Sequence, residues 1–387
     1  MEKQTKLVRT QTPKTQYREH STPLFLTSSF CFEDAEQGME LFNETIEGNI
    51  YSRFSNPSVQ EFVDKVCILE DCEDGIATGT GMAAVFAGFA AHLQAGDHLV
   101  SSRALFGSAH QIITQILAKW GVTHTYLDAT ATEQEWEAAV LPTTKMIYVE
   151  TPTNPGLDII DLEMLGALAK KHNLILNVDN CFATPIGQTP IDLGADLVVH
   201  SATKWIDGQG RVLGGAVVGR KELIHEIYLF CRSTGPSLSP FNAWVLSKIL
   251  ETLEVRMERH SKSAFSIAQK LEGHAKINFV KYPFLASHPQ HAIAVKQMKH
   301  GGGLVCFELK GGLEAGRQFL NHLKMLSLTA NLGDSRSIAS HPASTTHAKL
   351  SEAERQAVGI TPGLIRISVG LEHEEDILHD ILQALEA

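Results

Sequence analysis

What this chain lacks narrows its class before any motif is read. No apolar run approaches the roughly 20 residues that a bilayer-crossing helix needs, and the opening MEKQTKLVRTQTPKTQYREH has no apolar core of a secretory signal. A membrane protein and a secreted one are therefore not expected. Cysteine is sparse: Cys31, Cys67, Cys72, Cys181, Cys231 and Cys306 are scattered, without a C-x-x-C pair. In a chain of 387 residues that reads as reduced thiols in a cytoplasm rather than a disulfide framework. Surplus positive charge is also missing. The formal charge of −11 argues against a nucleic-acid partner, which needs clustered Lys and Arg. An anionic substrate would have to be held by locally placed arginines against an unfavourable overall field. Neither an internal repeat nor a low-complexity linker is found.

With 43% apolar and 20% charged residues, the composition is that of a globular protein long enough for two or three cooperating domains. Residues 1–56 are polar and broken, with little helical periodicity, and read as an arm that needs another surface to lie on. From Pro57 onward, short apolar strands alternate with amphipathic helices: HLVSS, THTYLD, KMIYVET, LILNVDN, DLVVHS and GGAVVG read as strands, with helices such as MAAVFAGFAAHLQ, SAHQIITQILAKW and LEMLGALAKKHN between them. That alternation of Val/Ile/Leu strands with helices predicts a mainly parallel sheet covered on both faces, an α/β domain over 57–250. A long helical stretch beginning at Phe241 leads into a smaller α+β domain over 251–387, with INFVKY, GLVCFELK and RISVGL as strands and EEDILHDILQALEA as the last helix.

Four segments of the α/β domain carry candidate chemistry, each near the end of a strand or the start of a helix, where open α/β sheets bind ligands. The first, ATGTGMAAV (77–85), is a glycine-rich turn opening a helix; it suits a phosphate on backbone N–H groups, or is simply a tight turn. It matches neither G-x-G-x-x-G nor G-x-x-x-x-G-K-[ST]. In LILNVDNCFATP, Asp179 stands at the carboxyl end of a buried strand, where a carboxylate must be paired, or must cap a neighbouring loop. Ser201, Thr203 and Lys204 follow the strand ending at His200; two hydroxyls beside one amine suit a phosphate plus an aldehyde, the alternative being a solvated surface lysine. Asn154, in ETPTNPGL, is by itself ordinary turn chemistry.

Taken in order, TPTNP, VDN-x-FATP and HSATK, with YSRFSNPSV, RALFG, SRSIASHPASTTH and RISVGLE around them, resemble the pyridoxal 5'-phosphate (PLP) enzymes of cysteine and methionine metabolism, the cystathionine synthase and lyase family, over nearly the whole chain. The resemblance implies the PLP-dependent transferase fold of type I. It implies that Lys204 carries the cofactor through its amine, that Asp179 pairs with the ring nitrogen, and that Asn154 contacts the ring hydroxyl. The phosphate would lie on the Gly81 and Met82 amides and the Ser201 and Thr203 hydroxyls. Tyr51 and Arg53 would reach into the neighbouring subunit's site in a homotetramer built from dimers. Arg366 would grip the substrate α-carboxylate and Ser337 would help to align it. One departure stands out: the ring-stacking tyrosine of the lyases is Phe106 here, which keeps the stacking but has no hydroxyl for proton transfer. The implied reaction is replacement at Cγ of an O-acyl-homoserine, most simply the succinyl ester, by sulfide to give homocysteine in methionine biosynthesis. Cystathionine γ-synthase and γ-lyase chemistry are the alternatives, and a binding module without catalysis is disfavoured by Lys204, Asp179 and Arg366 together. Elsewhere the signals are bland. His288 and His291 form H-x-x-H beside Pro289 without a carboxylate motif, so no zinc site is expected; His341 and His347 read as structural, glycines 301–303 as a turn, and Cys181 as packed.

Overall fold

In a computed structural model, which describes residues 1–345, 352–357 and 359–387, the strands form two sheets. The first has seven: β1 (Asp74–Thr78), β2 (His98–Ser102), β3 (Thr123–Leu127), β4 (Thr144–Glu150), β5 (Ile175–Asp179), β6 (Leu197–Ser201) and β7 (Gly215–Gly219). Their order across the sheet is β1-β7-β6-β5-β4-β2-β3. Only β7 runs against the others, so the sheet is parallel except at that strand. Val100, Ile147, Val149, Leu176, Val178, Val198, Val199, Val217 and Val218 are all fully buried. Helices cover both faces, which is why these strands are continuously apolar rather than alternating.

The second sheet joins β8 (Ile277–Lys281), β9 (Leu304–Leu309), β10 (Ser327–Leu328), β11 (Ile338–Ser340) and β12 (Leu364–Ser368) in the order β10-β11-β12-β9-β8. Phe307, Ile365 and Ile367 of this sheet pack with Ile267 of the helix Leu253–Leu271, Phe319 of Gly312–His322 and Ile381 of Glu374–Glu386 in one core. Each fully buried side chain of this size stabilises the fold by about 1.5–3 kcal/mol. Towards the first sheet, the Cys306 thiol donates to the Pro155 carbonyl at 3.0 Å, and Lys281 pairs with Asp158 at 2.7 Å.

Several sequence expectations change. The N-terminal 56 residues contain two helices, Lys3–Arg9 and Ala35–Phe42, where none was expected. Part of this segment lies on its own chain: Leu7 is buried in the main core, and the Trp244 indole donates to the Thr22 carbonyl at 2.9 Å. Tyr17, Leu26, Met39 and Phe42 stay exposed. The segment read as one helix over 108–120 is three short pieces: an α turn (Gly107–Gln111), a π-helical turn (Ile112–Ile116) and a 3-10 turn (Leu117–Trp120). The long helix after Phe241 is two, Pro240–Leu250 and Leu253–Leu271. Between them the Glu251 carboxylate turns to the fully buried Lys65 at 2.9 Å, an ion pair that no local helix signal announces.

Candidate active site

The carboxyl ends of the parallel strands meet at one cavity of about 270 Å3. The turn after β1 opens the helix Gly81–Ala90, whose N-cap Thr80 accepts the Ala83 N–H at 3.1 Å and leaves the Gly81 and Met82 amides facing outward. β4 delivers Glu150 and then Asn154; β5 ends in Asp179; β6 ends in Ser201, and the turn beyond it carries Thr203 and Lys204. Arg366 arrives from the other sheet, on β12. Gly81, Met82, Phe106, Asn154, Asp179, Ser201, Thr203, Lys204 and Arg366 all line this cavity.

Three other candidates do not. Tyr51 is exposed, and the Arg53 guanidinium donates to the Arg232 carbonyl, 4.8 Å from the Phe54 ring centroid and away from the cavity of its own chain. Ser337 needs a correction. It is fully buried, donates to a Glu372 oxygen at 2.9 Å and accepts the Gly370 N–H at 2.8 Å, so its hydroxyl is consumed in holding the turn after β12. The residue beside the lysine is Asn331, whose Oδ1 accepts from the Lys204 amine at 2.7 Å. Asn331 and Glu150 were both missed by sequence reasoning. Asn331 lies six residues before Ser337, and no motif residue or spacing marks it as the one that faces the lysine. His288 is structural: its Nε2 lies 3.0 Å from the Leu157 carbonyl and its Nδ1 accepts the Gln290 N–H. His341 likewise bonds the Pro362 carbonyl and the Ser344 hydroxyl. His347 lies outside the described residues.

The electrostatics follow from burial. Lys204 is pushed below its ordinary range by desolvation, with Cys181 opposing and Arg366 adding to the shift, so its amine is more easily neutral than a surface lysine's. Burial raises the Asp179 carboxyl; the Cys181 N–H at 2.9 Å and the nearby His200 work the other way. Behind it, His200 Nε2 meets Glu70 at 2.6 Å, and Glu70 also takes the Asn180 amide at 2.8 Å, a buried polar brace under the end of β5. Burial lowers Arg366, yet a guanidinium stays charged. It donates to Asn154 Oδ1 at 2.8 Å.

These residues fit a phosphorylated pyridine aldehyde. A Cβ at Gly81 would sit 2.5 Å from the Ser201 Cβ and 2.6 Å from its Oγ, so only glycine lets the helix start and the serine hydroxyl share one phosphate-sized cradle. Asp179 is a half-buried acid that binds a backbone N–H and, among the described residues, has no bonded cation of its own, the partner a protonated ring nitrogen would supply. Phe106 presents a flat apolar ring at the cavity wall, and a softened lysine amine stands on the same wall system.

The model of the Cys/Met metabolism PLP-dependent enzymes matches residues 4–386. The chain belongs to that family. Its use of PLP follows, and the two sheets are those of the PLP-dependent type I fold. The family member is 43% identical to an O-succinylhomoserine sulfhydrylase of Pseudomonas aeruginosa, covering 95% of this chain and 91% of that one. It is 44% identical to an L-methionine gamma-lyase of Fusobacterium nucleatum subsp. polymorphum, over 97% and 95% of the two chains. A solved Campylobacter jejuni structure described as an O-acetylhomoserine (thiol)-lyase superposes over the full length of both chains with a TM-score of 0.95 at 34% identity, and carries an N'-pyridoxyl-lysine-5'-monophosphate.

Proposed function

We propose that this enzyme replaces the acyloxy group at Cγ of an O-acyl-homoserine, the succinyl ester first, with sulfide to give homocysteine, as a step of methionine biosynthesis. The observation that carries the reading is the composition of the cavity wall: Lys204, Asp179 and Arg366 stand together, while the stacking position is Phe106. Without a phenol there, proton movement falls to the lysine alone.

PLP, when bound, supplies an electron sink for the pair left at Cα. The residues do the rest. The Lys204 amine would hold the cofactor and, when free, would take the proton from Cα of the bound amino acid and afterwards from Cβ. Asp179 would pair with the ring nitrogen and favour its protonated form. Arg366 takes the α-carboxylate in a bidentate pair, for which guanidinium is shaped. The Gly81 and Met82 amides, with Ser201 and Thr203, would hold the phosphate, and Asn154, which accepts from Arg366 at 2.8 Å, would contact the ring hydroxyl. The Cγ–O bond breaks with its electron pair leaving on succinate, sulfide forms the new Cγ–S bond, and Lys204 returns the protons. Tyr51 and Arg53 serve the phosphate of a second copy, which makes the working unit at least a dimer and, as we read it, a homotetramer in the cytoplasm.

A second reading, γ-elimination from methionine, is favoured by the gamma-lyase relatives at 44% identity. Purified enzyme offered O-succinylhomoserine with sulfide, the same ester with cysteine, and methionine alone separates the readings by product. Homocysteine as the main product supports the proposal; cystathionine as main product replaces it with a γ-synthase, and methanethiol with 2-oxobutanoate from methionine at a comparable rate replaces it with a lyase.

A further inference from the structure

Two carboxyls, not one, stand at the head of the cavity. Glu150 and Asp179 are register partners at the ends of β4 and β5, so they leave the sheet side by side. Both line the cavity, and Glu150 is only 5% exposed. Their surroundings differ. Asp179 takes the Cys181 N–H at 2.9 Å and lies in the field of His200. Glu150 takes the Phe106 N–H at 2.9 Å through Oε1, and the other titratable groups facing it are Asp179 on β5, Tyr148 on β4, Tyr126 on β3 and Cys181 beyond β5. Positive groups nearby are engaged elsewhere: Arg103 lies 5.8 Å from the Tyr126 ring centroid, and Lys204 is turned to Asn331.

Two adjacent carboxylates, one buried and one half-buried, cannot both ionise cheaply; the one with fewer compensating dipoles keeps the proton. Here that is Glu150, where burial and the Asp179 charge push the carboxyl well above its ordinary range and only one N–H opposes them. The neutral form has a use. Phe106 is the N-terminal flank of the short turn Gly107–Gln111 and has no side-chain cap; its carbonyl accepts the His110 N–H at 3.0 Å, and its own N–H is held by the Glu150 oxygen.

We propose that Glu150 is a positioning residue that carries its proton throughout, one oxygen holding the Phe106 backbone so that its ring stays at the cavity wall, and its neutrality leaving Asp179 the single negative charge opposite the cofactor ring. This rests on the assignment of the ring nitrogen to Asp179.

The test uses wild type, Glu150→Gln and Glu150→Ala. Infrared spectra of the cofactor-free protein, wild type minus Glu150→Gln, should show the same protonated-carboxyl C=O band at pH 6 and at pH 9. Its absence from wild type overturns the proposal. In reconstitution, Glu150→Ala should weaken PLP binding about tenfold, the effect of one buried N–H left without an acceptor, and Glu150→Gln should restore it to within about twofold. The pH midpoint of the bound cofactor's visible band should be the same in Glu150→Gln and wild type; a shift of about one unit would mean that an anion had been removed, and refutes the idea. Should Glu150→Ala fail to fold, the infrared comparison and the midpoint decide alone. Asp179→Asn keeps the outcomes separable: unchanged PLP affinity and band in that variant sinks the ring-nitrogen assignment, whereas the infrared band of the cofactor-free protein reports on Glu150 independently.

Discussion

Replacing Gly81 with alanine puts a methyl carbon where the structure has no room for one. The new Cβ would lie 2.5 Å from the Ser201 Cβ, 2.6 Å from its Oγ and 2.8 Å from its Cα, about 1 Å inside ordinary carbon–carbon contact. Ser201 cannot easily retreat, because its strand is paired to Gly215 of β7, and a Cβ at Gly215 would itself meet the Thr80 carbonyl at 2.3 Å. Strand and helix start are interlocked, so the helix N-terminus must back away from the cradle. Overpacking of this kind costs about 1–3 kcal/mol, equivalent to a loss of about 5- to 150-fold in affinity. We expect that loss in the dissociation constant for PLP, measured by tryptophan quenching on reconstitution, shared with a lower melting temperature of the cofactor-free protein. The double variant Gly81→Ala/Ser201→Gly removes two of the three clashing atoms. Set against Ser201→Gly alone, it should show a smaller effect of the alanine, a favourable coupling in the double-mutant cycle. Gly81→Ala with unchanged affinity and unchanged melting would refute the cradle.

Lys204→Ala should lose the visible band of the bound cofactor and essentially all turnover; wild-type turnover without an added amine would reject the role given to this lysine. Asn331→Ala removes a charge-assisted hydrogen bond of 2.7 Å to the Lys204 amine and should lower kcat/KM by about 10- to 150-fold, with the pH profile displaced; an unmoved profile at full rate would make Asn331 a bystander. Stability should fall in acid through His260. Its Nδ1–H donates to the Val369 carbonyl at 2.7 Å, Nε2 is buried without a hydrogen-bond partner among the described residues, and burial holds the folded value at about 4 against about 6.5 in an unfolded chain. The unfolded state therefore binds the extra proton first, and the stabilisation is whole above pH 6.5 and is lost as the pH falls towards 4, about 3 kcal/mol in all. Urea unfolding across that window should be less pH-dependent in His260→Asn than in wild type; parallel curves would contradict the assignment.

The central sheet was legible because its strands are short runs of Val, Ile and Leu between helical periods; the ends of those runs offered Asp179 and Lys204 as candidates, and only the family resemblance gave them roles. What could not be read was set by tertiary contacts. The sequence ILETLE contains no helix breaker, yet the helix stops at Glu251, whose carboxylate is drawn to Lys65 (2.9 Å) and Lys248 (2.7 Å). β10 and β11, two and three residues long, are too short for a period to register. At the site, Glu150 ends a strand as any polar residue would; only its register with Asp179 makes it unusual. Ser337 was assigned by its place in a motif and Asn331 was not considered; side-chain direction, which a motif does not carry, brings Asn331 to the Lys204 amine instead.

The small sheet is more than a lid for the lysine: it determines where the Lys204 turn can sit. Gly333, at φ +76°, packs so closely that a Cβ would meet the Trp205 N at 2.6 Å and the Lys204 carbonyl carbon at 2.9 Å, and its N–H is held by the Ser368 hydroxyl of β12 at 2.9 Å. From the other side, the buried Arg256 of the connecting helix donates to the carbonyls of Trp205 (2.7 Å) and Ile206 (3.1 Å). Both grips act on main-chain atoms at or just after Lys204, and both come from residues beyond 250. Arg366 reaches the cavity from the same β12 that holds Gly333. Amine and guanidinium are thus placed by one body, so a displacement of the second sheet would carry Arg366 and strain the lysine turn together. The spacing between the group that moves protons and the group that grips the carboxylate is then fixed by packing rather than by loop length, which is what a proton transfer at Cα of a bound amino acid requires.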